Sequence, residues 1–378
     1  MKMSGSVASL WGRRVLRHAD LDLLLRALAD EGRTVIGPRR TSDTLGIGEV
    51  HGVADLPDGW TDDQGPGRYR LRRDPDAGLF SYNLGPDSYK RYLFPPRQVL
   101  FRSKRTGDDV VIDAAPEPSV RYAFLGVRAC DLAAIAVQDR VLRDGAPADP
   151  AYARRRADVF IVAVQCDRAA STCFCPSMGT GPRVSSGFDL ALTELTASER
   201  CFVVEVGSEA GAALVARLPT REPGDEHDAP ERAAAQAHAR ITKHLDTQDL
   251  PSKLKAAVTG PHWDKVAERC LGCANCTMVC PTCFCTTVSD LASLDGTAER
   301  VRTWDSCFHT SFTFTAGASA RPSLGARYRQ WLTHKLSSWW DQFGTSGCVG
   351  CGRCTTWCPA GIDLVAEAAA AASTPGDP

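Results

Sequence analysis

The sequence predicts an α+β protein in which a mixed α/β domain is followed by a mainly helical, cysteine-rich domain. Segments typical of buried strands alternate with helical segments at first and become sparse later in the chain. In the later part, one spacing of four cysteines occurs twice. We therefore divide the 378 residues into a mixed α/β domain (1–220), a linker (221–236), a helical domain (237–372) and a disordered tail (373–378).

The periodicity of apolar residues predicts the elements of the first domain. Residues 8–30 have helical spacing and end at Glu31-Gly32, and residues 35–38 are typical of a short strand. Residues 40–105 are rich in Gly, Pro, Asp and Arg, which predicts short strands and loops. The later predictions are a buried strand at 122–127, a helix at 132–142 with Asp131 as its N-cap, a buried strand at 159–164, a strand at 201–206 and a helix at 210–218.

Helical patterns dominate the second domain. The polar, acid- and proline-rich stretch from Pro219 to Pro230 indicates the linker that precedes it. Helices are predicted at 231–245, 252–258, 326–340 and 361–372.

The repeated cysteine pattern is the strongest chemical signal in the chain. Eight of the sixteen cysteines form two runs with the spacing C-x2-C-x2-C-x3-C-P, beginning at Cys270 and Cys348. This spacing is typical of proteins with two [4Fe–4S] clusters, in which the fourth cysteine of each run binds the other run's cluster. The proline after the fourth cysteine turns the chain away from the helix. We assign Cys270, Cys273, Cys276 and Cys358 to cluster 1, and Cys348, Cys351, Cys354 and Cys280 to cluster 2.

Structural zinc is the alternative for these runs, but zinc ribbons usually separate their cysteine pairs by about 15–20 residues. The long segment between the runs contains the predicted helix 326–340. This arrangement favours an α-helical ferredoxin-like domain over a compact ferredoxin of small β-hairpins.

Four further cysteines lie in the α/β domain, two of them just after predicted buried strands. Ligands of α/β sheets bind at strand ends, so these thiolates predict a candidate third [4Fe–4S] cluster. Its ligands would be Cys130, Cys166, Cys173 and Cys175. The alternatives are inert core thiols, because free cysteine is often buried, or another metal, or a redox disulfide.

Three more cysteines form a smaller set, Cys283, Cys285 and Cys307. Three thiolates cannot fill a four-thiolate site, so we expect Cys283 and Cys307 to pack beside the clusters and shape their surroundings. Cys201 lies in a predicted strand without an evident partner. Lys335 and three arginines before the second run are candidates to raise a cluster's potential, with a solvated helix face as the alternative.

Composition excludes several functional classes. A net charge of −1 argues against a nucleic-acid-binding protein. The N-terminus lacks a signal-peptide pattern, and no apolar run approaches the ~20 residues of a membrane span, so we expect a cytoplasmic protein with reduced thiols. Gly46-x-Gly48 lacks the third glycine of a dinucleotide-binding motif. The chain therefore predicts electron carriers without a recognisable site for NAD, flavin or substrate.

Six phrases together resemble one family. They are Lys90-Arg-Tyr-Leu-Phe-Pro-Pro96, Phe124-Leu-Gly-Val-Arg-Ala-Cys-Asp131, Cys173-Phe-Cys-Pro-Ser-Met-Gly-Thr-Gly-Pro182, Cys280-Pro-Thr-Cys-Phe-Cys285, Trp304-Asp-Ser-Cys307 and Cys348-Val-Gly-Cys-Gly-Arg-Cys354. The sequence resembles the iron–sulfur beta subunit of cytoplasmic NAD(P)-linked [NiFe] hydrogenases, the sulfhydrogenases, and the related A subunit of anaerobic sulfite reductase. The resemblance covers roughly residues 80–365 and includes the four cysteines of the candidate third cluster, most loosely at Cys166.

The resemblance implies a non-catalytic subunit that relays single electrons, in either direction, between two partner subunits. One partner binds flavin and NAD(P), and the other is a catalytic [NiFe] hydrogenase, with siroheme sulfite reductase as the alternative. Two other classes stay open. One is a heterodisulfide-reductase-like enzyme whose Cys-Phe-Cys cysteines bind a catalytic cluster and act on thiols, and the other is a zinc-stabilised scaffold.

Overall fold

The structure is a computed structural model that describes residues 12–83, 85–114, 120–197 and 199–374. Its strands are β1 (Arg13–Arg17), β2 (Arg33–Thr41), β3 (Thr44–Glu49), β4 (Trp60–Gly65), β5 (Arg68–Arg73), β6 (Arg97–Thr106), β7 (Asp109–Ala114), β8 (Arg121–Val127), β9 (Phe160–Val164), β10 (Leu190–Leu195), β11 (Cys201–Val206), β12 (Thr286–Ala292) and β13 (Thr297–Trp304).

The α-helices alternate with these strands at first and then follow one another. They are α1 (Leu21–Asp30), α2 (Lys90–Leu93), α3 (Ala129–Leu142), α4 (Pro150–Ala157), α5 (Glu209–Val215), α6 (Ala229–Arg240), α7 (Leu250–Ala256), α8 (His262–Ala267), α9 (Asn275–Met278), α10 (Leu324–Thr333), α11 (Trp339–Phe343), α12 (Arg353–Thr356) and α13 (Leu364–Ala372). A π-helical segment, His334–Ser338, joins α10 to α11. Among the described residues, no helix is long and apolar enough to cross a membrane.

A seven-stranded mixed sheet forms the centre of the first part of the chain. Its strand order is β1-β11-β10-β9-β8-β2-β3, and the four central strands β10, β9, β8 and β2 are parallel. β9 is buried along its whole length, as is typical of parallel strands covered on both faces. Because β8 and β9 are parallel neighbours, their carboxyl ends lie side by side at one edge of the sheet.

A second, antiparallel sheet has the order β12-β13-β6-β7. It pairs Arg97–Ala114 with Thr286–Trp304, so it combines segments from both sides of the predicted linker. The mixed helix-and-strand class is confirmed, but β12 and β13 differ from the helical second domain that we expected. The side chains of β12 are mostly exposed, so its sequence lacks the apolar signal of a buried strand.

Three local predictions differ from the structure. Residues 13–17 form β1 rather than part of a helix, because they pair with β11 at the sheet edge. Asp131 is wrong as the N-cap of α3: Arg128 takes that position, and its backbone N–H donates to Asp131 Oδ2 at 3.4 Å. Helix α6 begins inside the predicted linker. Residues 8–11 of the predicted first helix and 375–378 of the predicted tail lie outside the described residues.

Two buried apolar clusters hold the fold together. The larger one includes residues of all seven strands of the mixed sheet, with Phe124, Val162 and Phe202 completely buried. The second surrounds the cysteine runs and contains Trp263 and Trp331. Phe174 comes from the loop after β9 but belongs to this second cluster, so the two parts of the chain share a core.

Candidate iron–sulfur centres

The two cysteine runs fold as the same local unit. Gly272 and Gly350 have φ values of +63° and +66°, and Ala274 and Gly352, two positions later, have +62° and +73°. The amide N–H of each first glycine donates to the first cysteine sulfur of its run at 3.5 Å. The third cysteines lie on the short helices α9 and α12, which pack against each other. The sequence repeat is therefore also a repeat of backbone geometry.

The first site, called site 1, is a cavity near the protein surface. It is lined by the four cysteines assigned to cluster 1, Cys270, Cys273, Cys276 and Cys358. Tyr328 and Trp331 line the same cavity, and the Tyr328 hydroxyl and the Trp331 indole N–H are buried without a hydrogen-bond partner within the described residues. Such donors fit a sulfur-rich group, because iron–sulfur clusters accept hydrogen bonds at sulfur.

The second site, called site 2, contains the cysteines assigned to cluster 2. These cysteines are Cys280, Cys348, Cys351 and Cys354, and each of the four thiols interacts electrostatically with the other three. A hydrogen bond from the Cys283 thiol holds the pKa of Cys280 well below its usual value, and the Lys335 ammonium acts in the same direction. Cys280 is therefore favoured as a thiolate, which is the form that binds iron.

Two buried ammonium groups surround site 2. Lys335 Nζ donates to Cys280 Sγ at 3.1 Å and to Thr282 Oγ1 at 3.0 Å. Lys90 Nζ donates to the carbonyl oxygens of Cys280 and Cys283 at 2.9 and 3.1 Å and lies 3.8 Å from the centre of the Trp304 ring. Neither ammonium pairs with a carboxylate of the described residues. Buried cations of this kind require nearby negative charge, which a thiolate-bound cluster supplies.

The third site, called site 3, lies at the edge of the seven-stranded sheet. Its cavity is lined by Cys130, Cys166, Cys173 and Cys175. Cys130 and Cys166 follow the adjacent carboxyl ends of β8 and β9, as the strand-end argument predicts. The other two cysteines reach the cavity because the Phe174 N–H donates to the Gly350 carbonyl oxygen at 2.9 Å. The second cysteine run thus packs directly against site 3.

Two buried arginines line site 3. Arg128 donates to the carbonyl oxygens of Gln165 and Tyr82, both at 3.0 Å, and also to that of Phe80. Arg353 Nη2 donates to Asp131 Oδ1 at 2.8 Å. The Nε atoms of both arginines and Nη1 of Arg353 are buried without a hydrogen-bond partner in the described part of the chain. These spare cationic donors fit a cluster with sulfur acceptors.

The thiols of site 3 do not ionise readily on their own. Burial raises the pKa of Cys173 to about 12, and it raises the pKa of Cys130 and Cys175 as well. Metal ligation requires the thiolate, so a bound metal would have to displace these protons. The four thiols, the two buried arginines and the arginine N–H groups without a hydrogen-bond partner in the described residues together fit a four-thiolate cluster.

The remaining cysteines lie elsewhere. Cys283 contacts Cys280, as expected for a thiol that shapes the surroundings of a cluster. Cys285 and Cys307 form a separate pair beside a cavity of about 620 Å³. Cys201 lies within β11, opposite Arg17 and Leu195, away from these groups.

The sequence did not indicate Lys90, Arg128 and Arg353 as functional residues. Each of them belongs to one of the six quoted phrases, and membership of these phrases is the sequence signal that could have indicated them. The structure explains why these phrases occur together. Lys90 bonds to the phrase that begins at Cys280, and Arg353 pairs with Asp131 across the two parts of the chain.

Comparison with known proteins agrees with the cysteine pattern. A family model described as a 4Fe–4S dicluster domain matches residues 269–362, which include both runs. The chain is 35% identical over 286 residues to sulfhydrogenase 2 subunit beta of Pyrococcus furiosus. The matched region covers 73% of this chain and 82% of that protein. No solved structure was found to match the chain. The prediction of [4Fe–4S] clusters is confirmed by the dicluster match, while their number and the ligands of each stay predictions.

Proposed function

The chain belongs to the family of sulfhydrogenase beta subunits, and on that premise we propose that it is the electron-relay subunit of a hydrogenase complex. Its partners in this proposal are a flavin- and NAD(P)-binding reductase subunit and a catalytic [NiFe] hydrogenase subunit. [4Fe–4S] clusters, when bound, supply one-electron transfer at potentials that the protein tunes. The residues of this chain hold the clusters, exclude water and supply charge around them.

One observation carries the proposal: the three cysteine sites form a continuous row. The cavity of site 3 is lined by Cys351 as well as by its own four cysteines. The cavity of site 1 is likewise lined by Cys354. Both residues belong to site 2, so site 2 lies between the other two. A row of adjacent sites is the arrangement that a relay between two partners requires.

Site 1 has the surface character expected at one end of such a row. Cys273 is exposed, and its neighbour Leu271 is 68% exposed. Pro359 and Ala360, which also line the site 1 cavity, are exposed too. We infer that one partner subunit docks over this apolar rim and brings its own redox centre close to site 1.

Iron and sulfide analysis of the anaerobically purified chain tests the row. Three clusters would give about twelve irons per chain, and two would give about eight. We expect about twelve in the wild type and about eight in Cys130→Ala, with Cys201→Ala as the control at the wild-type value. A wild-type chain with about eight irons, unchanged by Cys130→Ala, would show that site 3 holds no cluster.

Purification of a complex from the native host tests the partners. A tagged chain should bring down nickel together with a flavoprotein, and the nickel should be absent when an untagged chain is used. If siroheme came down instead of nickel, the catalytic partner would be a sulfite reductase and the hydrogenase assignment would be wrong.

A further inference from the structure

The cavity beside Cys285 and Cys307, called the thiol cavity, is not explained by the relay. It has a volume of about 620 Å³, shares only Trp331 among its lining residues with the cavity of site 1, and shares none with the cavity of site 3. Its lining includes Cys283, Cys285, Cys307, Arg321, His334 and Lys335. A cavity of this size admits a small molecule, because typical ligand pockets measure about 300–1,000 Å³.

The fold holds the two thiols next to each other at the open end of the hairpin formed by β12 and β13. Cys285 directly precedes β12, and Cys307 follows β13 by three residues, so the pairing of these strands brings both together. The Asp305 N–H donates to the Cys285 carbonyl oxygen at 2.8 Å. The Asp305 carboxylate accepts from Ser306 N at 2.7 Å and from His309 Nδ1 at 2.6 Å, which fixes the turn that carries Cys307.

The two thiols form a nucleophile and its hydrogen-bond donor. The Cys307 thiol donates a hydrogen bond to the Cys285 sulfur, which lowers the pKa of Cys285 to about 7. The same contact raises the pKa of Cys307. Cys285 is thus available as a thiolate near neutral pH, with a second thiol in contact, and this is the arrangement of reactive dithiol pairs. The Cys285 and Cys307 side chains are hydrogen-bonded to each other, so both sulfurs can reach one bound disulfide.

The wall of the cavity indicates the charge of its ligand. The Arg321 guanidinium lines the cavity and forms no hydrogen bond or ion pair with described residues. Phe284, Phe312 and Trp339 supply the apolar part of the wall. A small ligand with a carboxylate and an apolar or sulfur-containing body matches these groups.

We propose that Cys285 and Cys307 form a thiol–disulfide exchange site for small acidic disulfides. The Cys285 thiolate attacks one sulfur of the disulfide, forms a mixed disulfide and releases the other half as a thiolate. Cys307 then attacks the Cys285 sulfur, closes the Cys285–Cys307 disulfide and releases the second half, and its proton passes to a leaving thiolate. The pair loses two electrons, and the small disulfide gains two. Excess thiol reverses both steps.

The test uses the full iron-loaded chain, prereduced and freed of reductant under anaerobic conditions, with glutathione disulfide as the acidic probe. The wild type should release two glutathione equivalents per chain above the background and show a Cys285–Cys307 disulfide by peptide mapping. Cys307→Ser should stop at one equivalent with glutathione on Cys285. Cys285→Ser should release only the background, and Cys201→Ser should behave as the wild type.

A second probe tests the charge of the ligand. Cystamine is a cationic disulfide of similar reactivity, so Arg321→Ala should slow the reaction with glutathione disulfide about tenfold and leave that with cystamine unchanged. Equal effects on both probes would overturn the acidic specificity. The exchange site itself is overturned if the wild type releases no more thiol than Cys285→Ser, or if Cys285→Ser or Cys307→Ser loses iron. These outcomes do not depend on whether the relay is correct.

Discussion

Replacing Lys335 by methionine should make the reduction potential of the site 2 cluster more negative. The Lys335 ammonium lies 3.1 Å from Cys280 Sγ and is only 5% exposed, so its removal takes the nearest positive charge from an added electron. Charges about 4–8 Å apart interact by about 2–4 kcal/mol at an effective dielectric constant of about 20. Because about 59 mV corresponds to a tenfold change for one electron, the expected shift is about 90–170 mV. Loss of the hydrogen bond to sulfur has the same sign.

An anaerobic redox titration followed by electron paramagnetic resonance measures this shift. Lys335→Arg keeps the charge and should titrate closer to the wild type. Lys255→Met is the surface control, because Lys255 pairs with Asp341 where both side chains are more than half exposed and water screens the charge. If Lys335→Met kept all its iron and titrated at the wild-type potential, Lys335 would not compensate the charge of a cluster at site 2.

Three further predictions follow from single contacts. Arg353→Leu leaves Asp131 buried without its partner and should lower the free energy of unfolding by about 3–5 kcal/mol in urea titrations, whereas a loss below about 1 kcal/mol would contradict a buried pair. Gly350→Ala places a Cβ 2.7 Å from the Cys175 backbone at a φ of +66°, so it should lower the free energy of unfolding by about 1–3 kcal/mol and reduce the iron content. The control Gly317→Ala meets nothing within 4 Å and should change neither quantity. Iodoacetamide should alkylate Cys285 faster as the pH rises, with a midpoint near 7, because the thiolate is the reactive form. Cys307→Ala should move this midpoint up towards about 8.5. Equal midpoints in the two proteins would refute the hydrogen bond between Cys307 and Cys285.

The sequence carries the local parts of the sites and lacks the distant ones. The spacing within each cysteine run is a local property of a turn and a short helix, so it predicts the repeated backbone of Gly272 and Gly350. The alternation of β8, α3 and β9 likewise places Cys130 and Cys166 at one sheet edge. Both features follow from periodicity and from the rule for parallel strands.

The pairing of Asp131 with Arg353 spans 222 positions and has no periodicity to indicate it. A sequence reading places Asp131 at a helix start on its own propensity, whereas the structure uses its carboxylate to hold an arginine at site 3. Strand β12 was missed for a different reason. Its exposed side chains carry no apolar pattern, and it forms through pairing with β13.

The three sites offer different surroundings to the same kind of four-cysteine set. Site 2 has the buried ammonium groups of Lys335 and Lys90, and site 3 has two buried guanidinium groups. Site 1 has the neutral donors of Tyr328 and Trp331 and two nearby arginines. Arg269 is more than half exposed and pairs with Glu367 at 2.6 Å, and Arg327 donates to the Phe308 carbonyl oxygen at 2.9 Å.

Reduction adds negative charge, and a buried cation stabilises added negative charge more than a neutral donor or a solvated cation does. The two buried ammonium groups at site 2 have no carboxylate partner among the described residues, so they would favour the reduced state of a cluster there over one at site 1. The cysteine spacing of sites 1 and 2 is the same, so we infer that the buried lysines, and not the cysteine pattern, would set the difference in potential between clusters at these two sites.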